Sequence, residues 1–147
     1  MLIEWRDSHK LGNAEMDEQH QELFARVNLF LDATDTISQM KYLIGLFKFT
    51  RLHFSHEEDL MRRVNYPETS LHLDEHAELL DRLSAFADSV ANNTFVKEFW
   101  GNFLAGWLIN HIASSDTKLA DFVKPPLALA GHAADLSHQK QQGRTTL

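Results

Sequence analysis

The sequence predicts an all-α fold, an antiparallel up-down four-helix bundle with an N-terminal arm and a C-terminal tail. Glycine and proline are scarce, at 6 and 3 in 147 residues, and no stretch alternates polar and apolar residues as a half-buried strand does. Four long segments instead repeat apolar residues at three- and four-residue steps, with short polar breaks between them. Amphipathic helices joined by short links pack as neighbours in an up-down bundle.

The first helix is predicted over Met16–Leu31, with Leu23, Val27, Phe30 and Leu31 on one stripe. Asn13 or Asp17 stands where a cap is needed, and "DATDT" stops the helix. The second runs over Ser38–Asn65, with Met40, Leu43, Phe47, Thr50, Phe54, Met61 and Val64 at helical spacing. It closes at "NYP", since Pro67 disfavours helix at the residue before it. The third covers Thr69–Ala91, with His72, His76, Leu79, Leu83, Phe86 and Val90 on its stripe, and "NN" breaks it. The fourth covers Phe95–Phe122. Its expected stripe is Phe99 or Trp100, then Phe103, Trp107, His111, Ile112 and Leu119, and "KPP" ends it. Gly101 and Gly106 weaken it locally, because glycine costs about 1 kcal/mol against alanine in a helix. Residues 1–124 thus read as one bundle, and 125–147 as a tail or linker with room for a short extra helix.

Composition narrows the function. Hydrophobic residues make up 44% of the chain and the net charge is −7. A core of that richness argues against disorder. The acidic balance lacks the basic face of a phosphate-backbone binder, so no nucleic-acid partner is expected. With no cysteine, disulfides, thiolate zinc sites and iron–sulfur clusters are excluded, and a cytoplasmic setting is expected. The opening "MLIEWRDSHK" has no signal-peptide pattern. "FLAGWLI" is too short to span a bilayer, so no membrane partner is expected either.

Nine histidines remain to be explained. His72 and His76 stand at i and i+4, on the face of Leu79 and Leu83, while Asp74, Glu75, Glu78 and Asp81 point outward. His53 and Glu57 form another i, i+4 pair on the core face of the second helix. His111 follows Trp107 by four, and His20 leads into Leu23, Phe24 and Val27 at helical spacing. One inward histidine is ordinarily a core residue bonded to a carbonyl or carboxylate. Five of them over four helices, with a carboxylate, are costly to bury unless something satisfies them all. A metal centre does that, and neutral imidazoles with carboxylates suit iron, zinc or manganese.

In order, these residues read "MDEQHQELF", "HFSHEEDLM", "YPETSLHLDEH" and "WLINHIASSD", a pattern H…HxxxE…HxxxH…HxxxxD. With Trp5 and the lead-in of Gly12, Asp17 and His20, this resembles the hemerythrin family over about residues 5–123, and its bacterial members most. The resemblance implies two iron ions (Fe2+/Fe3+) with an oxo or hydroxo bridge. His72, His76 and His111 would hold one iron, His20 and His53 the other, and Glu57 and Asp116 would bridge them. That set leaves one coordination position open, on the iron with two histidines. Reversible O2 binding is the implied function, with NO a second candidate for the same position. Leu23, Phe54, Trp107, Leu108 and Ile112 match apolar pocket positions of the family and are expected to wall the O2 site as well as fill core. Asp116 is carried by the resemblance alone. It lies five residues after His111, about 140° around an ideal helix, and the i+4 residue, Ser115, is a poor metal ligand.

Other residues are set aside. His56 reads as an exposed histidine or one a step removed from the metal. Glu58 and Asp59 read as a solvated face, His9, His132 and His138 as surface or tail, and Tyr66 and Pro67 as structural turn residues. No enzymatic activity is expected: the carboxylate-rich di-iron oxidases need Glu-x-x-His on two helices, and the chain has none. Two roles share the implied site. One is a free-standing O2 carrier, store or deliverer. The other is an O2- or redox-sensing domain that regulates a signalling domain or protein partner. The residues after Val123 are too few for an output domain, but "AADLSHQKQQGRTTL" could be a linker toward one.

Overall fold

A computed structural model describes residues 3–124. The expected tail at 125–147, with His132 and His138, lies outside the described residues. Four helices carry the fold: α1 Ala14–Asp32, α2 Thr36–Arg63, α3 Thr69–Ala91 and α4 Lys97–His111. A π-helical turn, Ile112–Asp116, then leads into α5, Thr117–Val123. Each helix packs on the next in sequence, and α4 returns against α1 to close the ring. This is the expected up-down bundle, and no strand occurs among the described residues.

The helix ends follow from local chemistry. The Asn13 side chain accepts from Met16 N at 3.1 Å and caps α1. Asp17 has a different task, accepting from the backbone N–H groups of Leu11 at 2.7 Å and Gly12 at 3.2 Å. Gly12 makes this bend at φ 81°, in the left-handed region that glycine tolerates. Asp35 caps α2 through Ser38 N at 2.8 Å. The C-terminal ends of α2 and α3 share one device. Asn65 and Asn93 take φ of 51° and 56°. Tyr66 N then reaches back to Met61 O, and Thr94 N to Ser89 O, both at 2.9 Å. That six-to-one bond after a left-handed residue satisfies carbonyls a helix end leaves open.

The N-terminal arm is fastened by Asn28. Its Oδ1 accepts from Ile3 N and its Nδ2 donates to Ile3 O, both at 2.8 Å. Trp5 meets the edge of Phe24 with ring centroids 5.2 Å apart. Asn28→Ala removes both bonds. We expect a stability loss of about 1–3 kcal/mol and faster amide exchange across residues 3–11, measured by hydrogen–deuterium exchange.

The core lies in two apolar clusters. The larger is built from residues such as Leu23, Phe30, Leu43, Leu83, Phe86 and Leu104. The smaller comprises Met16, Met61, Tyr66, Leu119 and Ala120. Between them along the helices lies a layer of buried polar side chains.

The fourth helix differs from expectation. The predicted continuous segment Phe95–Phe122 is interrupted by the π turn. Its buried face is Gly101, Leu104, Leu108 and His111, while Phe103 and Trp107 are half-buried and Phe99 is 62% exposed. No charged residue falls between Glu98 and Asp116, so the polarity contrast that marks a helix face is missing. Gly101 belongs to the packing: a Cβ there would sit 3.4 Å from Leu31 Cδ2.

Candidate metal centre

The polar layer is built one turn at a time. His20 comes from α1, His53 and Glu57 from α2, His72 and His76 from α3, His111 from the end of α4, and Asp116 from the end of the π turn. All seven are at most 5% exposed. The i, i+4 spacings place His53 above Glu57 and His72 above His76. Asp116 owes its position to the π turn. The backbone N–H of Thr117 donates to Ile112 O, five residues back, so this turn takes up about one residue more than an α-turn. Asp116 thereby turns to the face of His111, and its Oδ1 lies 3.1 Å from His111 Nε2.

The two carboxylates divide their oxygens between two groups of histidines. Asp116 Oδ1 faces His72 Nε2 and His111 Nε2, each at 3.1 Å, and its Oδ2 faces His20 Nε2 at 3.0 Å. Glu57 Oε1 lies 3.1 Å from His76 Nε2 and 3.6 Å from His72 Nε2. Its Oε2 lies 3.5 Å from His53 Nε2 and 4.0 Å from His20 Nε2. Two sets of ligand-capable atoms result, each within 4.8 Å: Glu57, His72, His76, His111 and Asp116, and His20, His53, Glu57 and Asp116. Both carboxylates belong to both sets.

The donor chemistry fits metal ions. His20 Nδ1 and Nε2, His72 Nδ1 and Nε2, His111 Nδ1 and Nε2, Glu57 Oε2 and Asp116 Oδ1 are buried with no hydrogen-bond partner among the described residues. Orphaned buried groups of this kind cost about 1–3 kcal/mol each, and the five that face the layer, three Nε2 atoms and two carboxylate oxygens, demand a partner. Burial, with His20 beside it, pushes the His53 imidazole down to about 3. Burial and His72 push His76 down to about 2. Both rings are neutral near pH 7, as ligation requires. Burial also works to lower His72, but its bonds to Asp116 and Glu57 prevail and raise it to about 9. Burial and the neighbouring Asp116 hold Glu57 well above the usual carboxylate range. Burial works in that direction on Asp116 too, but His111, His20 and His72 outweigh it and hold that carboxyl well below.

Three ring nitrogens turned away from the layer meet acceptors that helical spacing did not single out. His53 Nδ1 lies 2.6 Å from Gln19 Oε1, His76 Nδ1 3.3 Å from Glu58 Oε1, and His111 Nδ1 3.2 Å from Glu75 Oε2. Glu58 is therefore not a solvated residue and Glu75 does not simply point outward. Both side chains bend back over the ring of a neighbouring helix. Ser115, the poor ligand at i+4, donates its hydroxyl to Glu75. The sequence signal for these residues is chemical: an inward imidazole offering Nε2 to a metal needs an acceptor for Nδ1–H.

Of the expected wall residues, Leu23, Phe54, Leu108 and Ile112 are at most 3% exposed. Phe54 stacks on His76 with ring centroids 3.6 Å apart, and the half-buried Trp107 stacks on His111 at 4.4 Å. His56 is 44% exposed and outside both sets.

Comparison with known proteins agrees with this architecture. The family model described as "Hemerythrin HHE cation binding domain" matches residues 11–123. A hemerythrin-like protein of Naegleria gruberi is 34% identical over 115 residues, covering 78% of this chain and 87% of that protein. A bacteriohemerythrin of Stenotrophomonas maltophilia is 28% identical over 131 residues, covering 86% and 84%. A wild-type hemerythrin crystal structure superposes with a TM-score of 0.77 at 23% identity, covering 85% of this chain and all of that one, and so shares the fold. No helix among the described residues is long and apolar enough to cross a membrane. With a family model spanning nearly all the described residues and a buried His/Glu/Asp cluster able to bind metal, the chain belongs to the hemerythrin family.

Proposed function

We propose that the chain holds two iron ions and binds O2 reversibly as a carrier, store or deliverer. His72, His76 and His111 would hold one iron, His20 and His53 the other, with Glu57 and Asp116 bridging. The observation that carries this reading is the division of oxygens: Glu57 and Asp116 each turn one oxygen to each histidine group. When bound, the iron pair would supply an exchangeable coordination position and the electrons for reversible O2 binding. The chain supplies the rest. Leu23, Phe54, Leu108 and Ile112 exclude water from one side of the polar layer, and Met16, Met61 and Leu119 pack on the other, beside a surface pocket that Met16 and Glu57 line. A dry wall limits proton and water entry, and with it loss of the reduced state. Phe54 and Trp107 brace the faces of His76 and His111. Gln19 and Glu58 hold the Nδ1–H groups of His53 and His76, and Glu75 stands 3.2 Å from His111 Nδ1, which favours Nε2 lone pairs aimed inward.

Freshly purified protein is expected to contain two irons per chain by metal analysis, and one or none would overturn the reading. The reduced protein should change colour on meeting O2 and revert when O2 is removed. Irreversible oxidation without an oxygenated form would defeat carriage and favour redox sensing.

Acid should release the metal. Protons compete with metal for imidazole, so affinity falls as pH drops. His72, raised to about 9 without metal, carries a proton near pH 7 that loading must expel. His53 and His76 are already neutral there. Metal addition in a pH-stat near pH 7 should therefore release protons, from His72 and from any that the raised Glu57 carboxyl still carries, and the His72 share should fall above about pH 9.

A further inference from the structure

An unbroken chain of hydrogen bonds leads from the protein surface to the His20–His53 half of the polar layer. Gln19 Oε1 lies 2.6 Å from His53 Nδ1, and Gln19 Nε2 lies 2.7 Å from His56 Nδ1. His56 stands on α2 one turn from His53, and its side chain is 44% exposed. Glu15 Oε1, at 3.8 Å from the same His56 nitrogen, is beyond hydrogen-bond reach. Met16, Gln19, His56 and Glu57 line a surface pocket of about 100 Å³, so the chain runs along its wall.

An amide has two unlike ends. Its nitrogen only donates and its oxygen only accepts. With Nε2 on His56, the His56 Nδ1 must be the bare ring nitrogen. With Oε1 on His53, the His53 Nδ1 must carry the proton. The His53 proton is then on the outer nitrogen, and the Nε2 lone pair faces Glu57 Oε2, 3.5 Å away. A reversed amide would present N–H to His53 Nδ1 and drive the ring proton onto Nε2, into the metal layer. The other outer contacts are to Glu58 and Glu75. A carboxylate has no wrong way round, so they need no such guide. Gln19 alone does, and His56 is the group that bonds its other end.

We infer that Gln19 is a positioning residue for the iron held by His20 and His53, and that His56 braces the far end of its amide. The inference rests on the di-iron reading for its effect on metal, but its effect on the His53 tautomer stands without it.

The test has two arms, both on the full chain. In the first, iron-loaded protein is challenged with excess chelator and the release of each iron is timed. Gln19→Leu should release one iron about 10–100-fold faster, the usual cost of losing such a partner, and the other at the wild-type rate. Gln19→Glu keeps an acceptor for His53 and should restore retention. His56→Leu should accelerate the same phase to a smaller degree. His56→Asn, whose side-chain oxygen can accept from the Gln19 amide, should reverse that change. Equal acceleration of both irons in Gln19→Leu, or no difference between His56→Leu and His56→Asn, would overturn the inference. In the second arm, long-range nitrogen–proton NMR of the metal-depleted chain reads the His53 tautomer. A single Nδ1–H form in the wild type and a mixture in Gln19→Leu support the inference even where iron binding fails. An Nε2–H form in the wild type overturns it even where two irons bind.

Discussion

Asp116→Ala is expected to reduce iron from two per chain to nearly none, whereas His53→Ala should leave about one. The difference follows from sharing. Asp116 stands within 3.1 Å of ring nitrogens from both histidine groups, while His53 belongs to one. Removing Asp116 would delete a ligand from each ion and leave His20, His72 and His111 without their nearest carboxylate. Breaking one partner of a buried charged cluster costs about 3–5 kcal/mol, which corresponds to a loss of two to four decades in affinity. Metal analysis after gel filtration reads the result. Asn110→Ala, an exposed change beside His111, should keep two irons. Loss of one iron in Asp116→Ala would show that Asp116 serves a single ion.

Phe30→Ala is expected to have the largest effect on stability with no effect on the site. Phe30 is fully buried and its ring lies 5.2 Å from that of Phe95. Truncating a buried phenylalanine costs about 3–5 kcal/mol, a fall in melting temperature of roughly 10 °C for a chain of this size. Phe30 lies ten residues beyond His20 on α1, about 15 Å along the axis. Below its melting temperature the variant should therefore keep two irons and bind O2 as the wild type does. A calorimetric scan and a metal count decide the matter together. Iron loss from folded Phe30→Ala would mean that the large apolar cluster and the polar layer are not separable.

How far the sequence reveals this molecule depends on which residues report their own direction. The four-helix bundle was legible because α1, α2 and α3 set apolar stripes against charged faces. His72 with His76, and His53 with Glu57, were legible for the same reason. The face of α4 was not. Between Glu98 and Asp116 no charge marks the solvent side, so the expected stripe took Phe99 or Trp100, Phe103 and Trp107 and passed over the buried Leu104, while Leu108 was placed inward only by the resemblance. Asp116 could be found only by resemblance, because helical periodicity assumes the α spacing that the π turn breaks. Gln19, Glu58 and Glu75 escaped for a third reason. Their backbone positions are peripheral, and their long side chains fold back to reach imidazole nitrogens.

The π turn has a consequence for how this chain tolerates change in length. Ile112–Asp116 uses five residues to achieve the rotation that an α-helix achieves with four. Loss of Ser114, an exposed residue whose hydroxyl donates to Asn110 O, would set the aspartate four places after the histidine. The surplus would vanish while Leu119 and Ala120 kept their bearing on Met61 and Tyr66. The same deletion in the middle of α2 or α3 would swing every later side chain by about 100° and scatter the histidines. The segment that carries Asp116 is thus the one place in the bundle where the reading frame of the helix has slack.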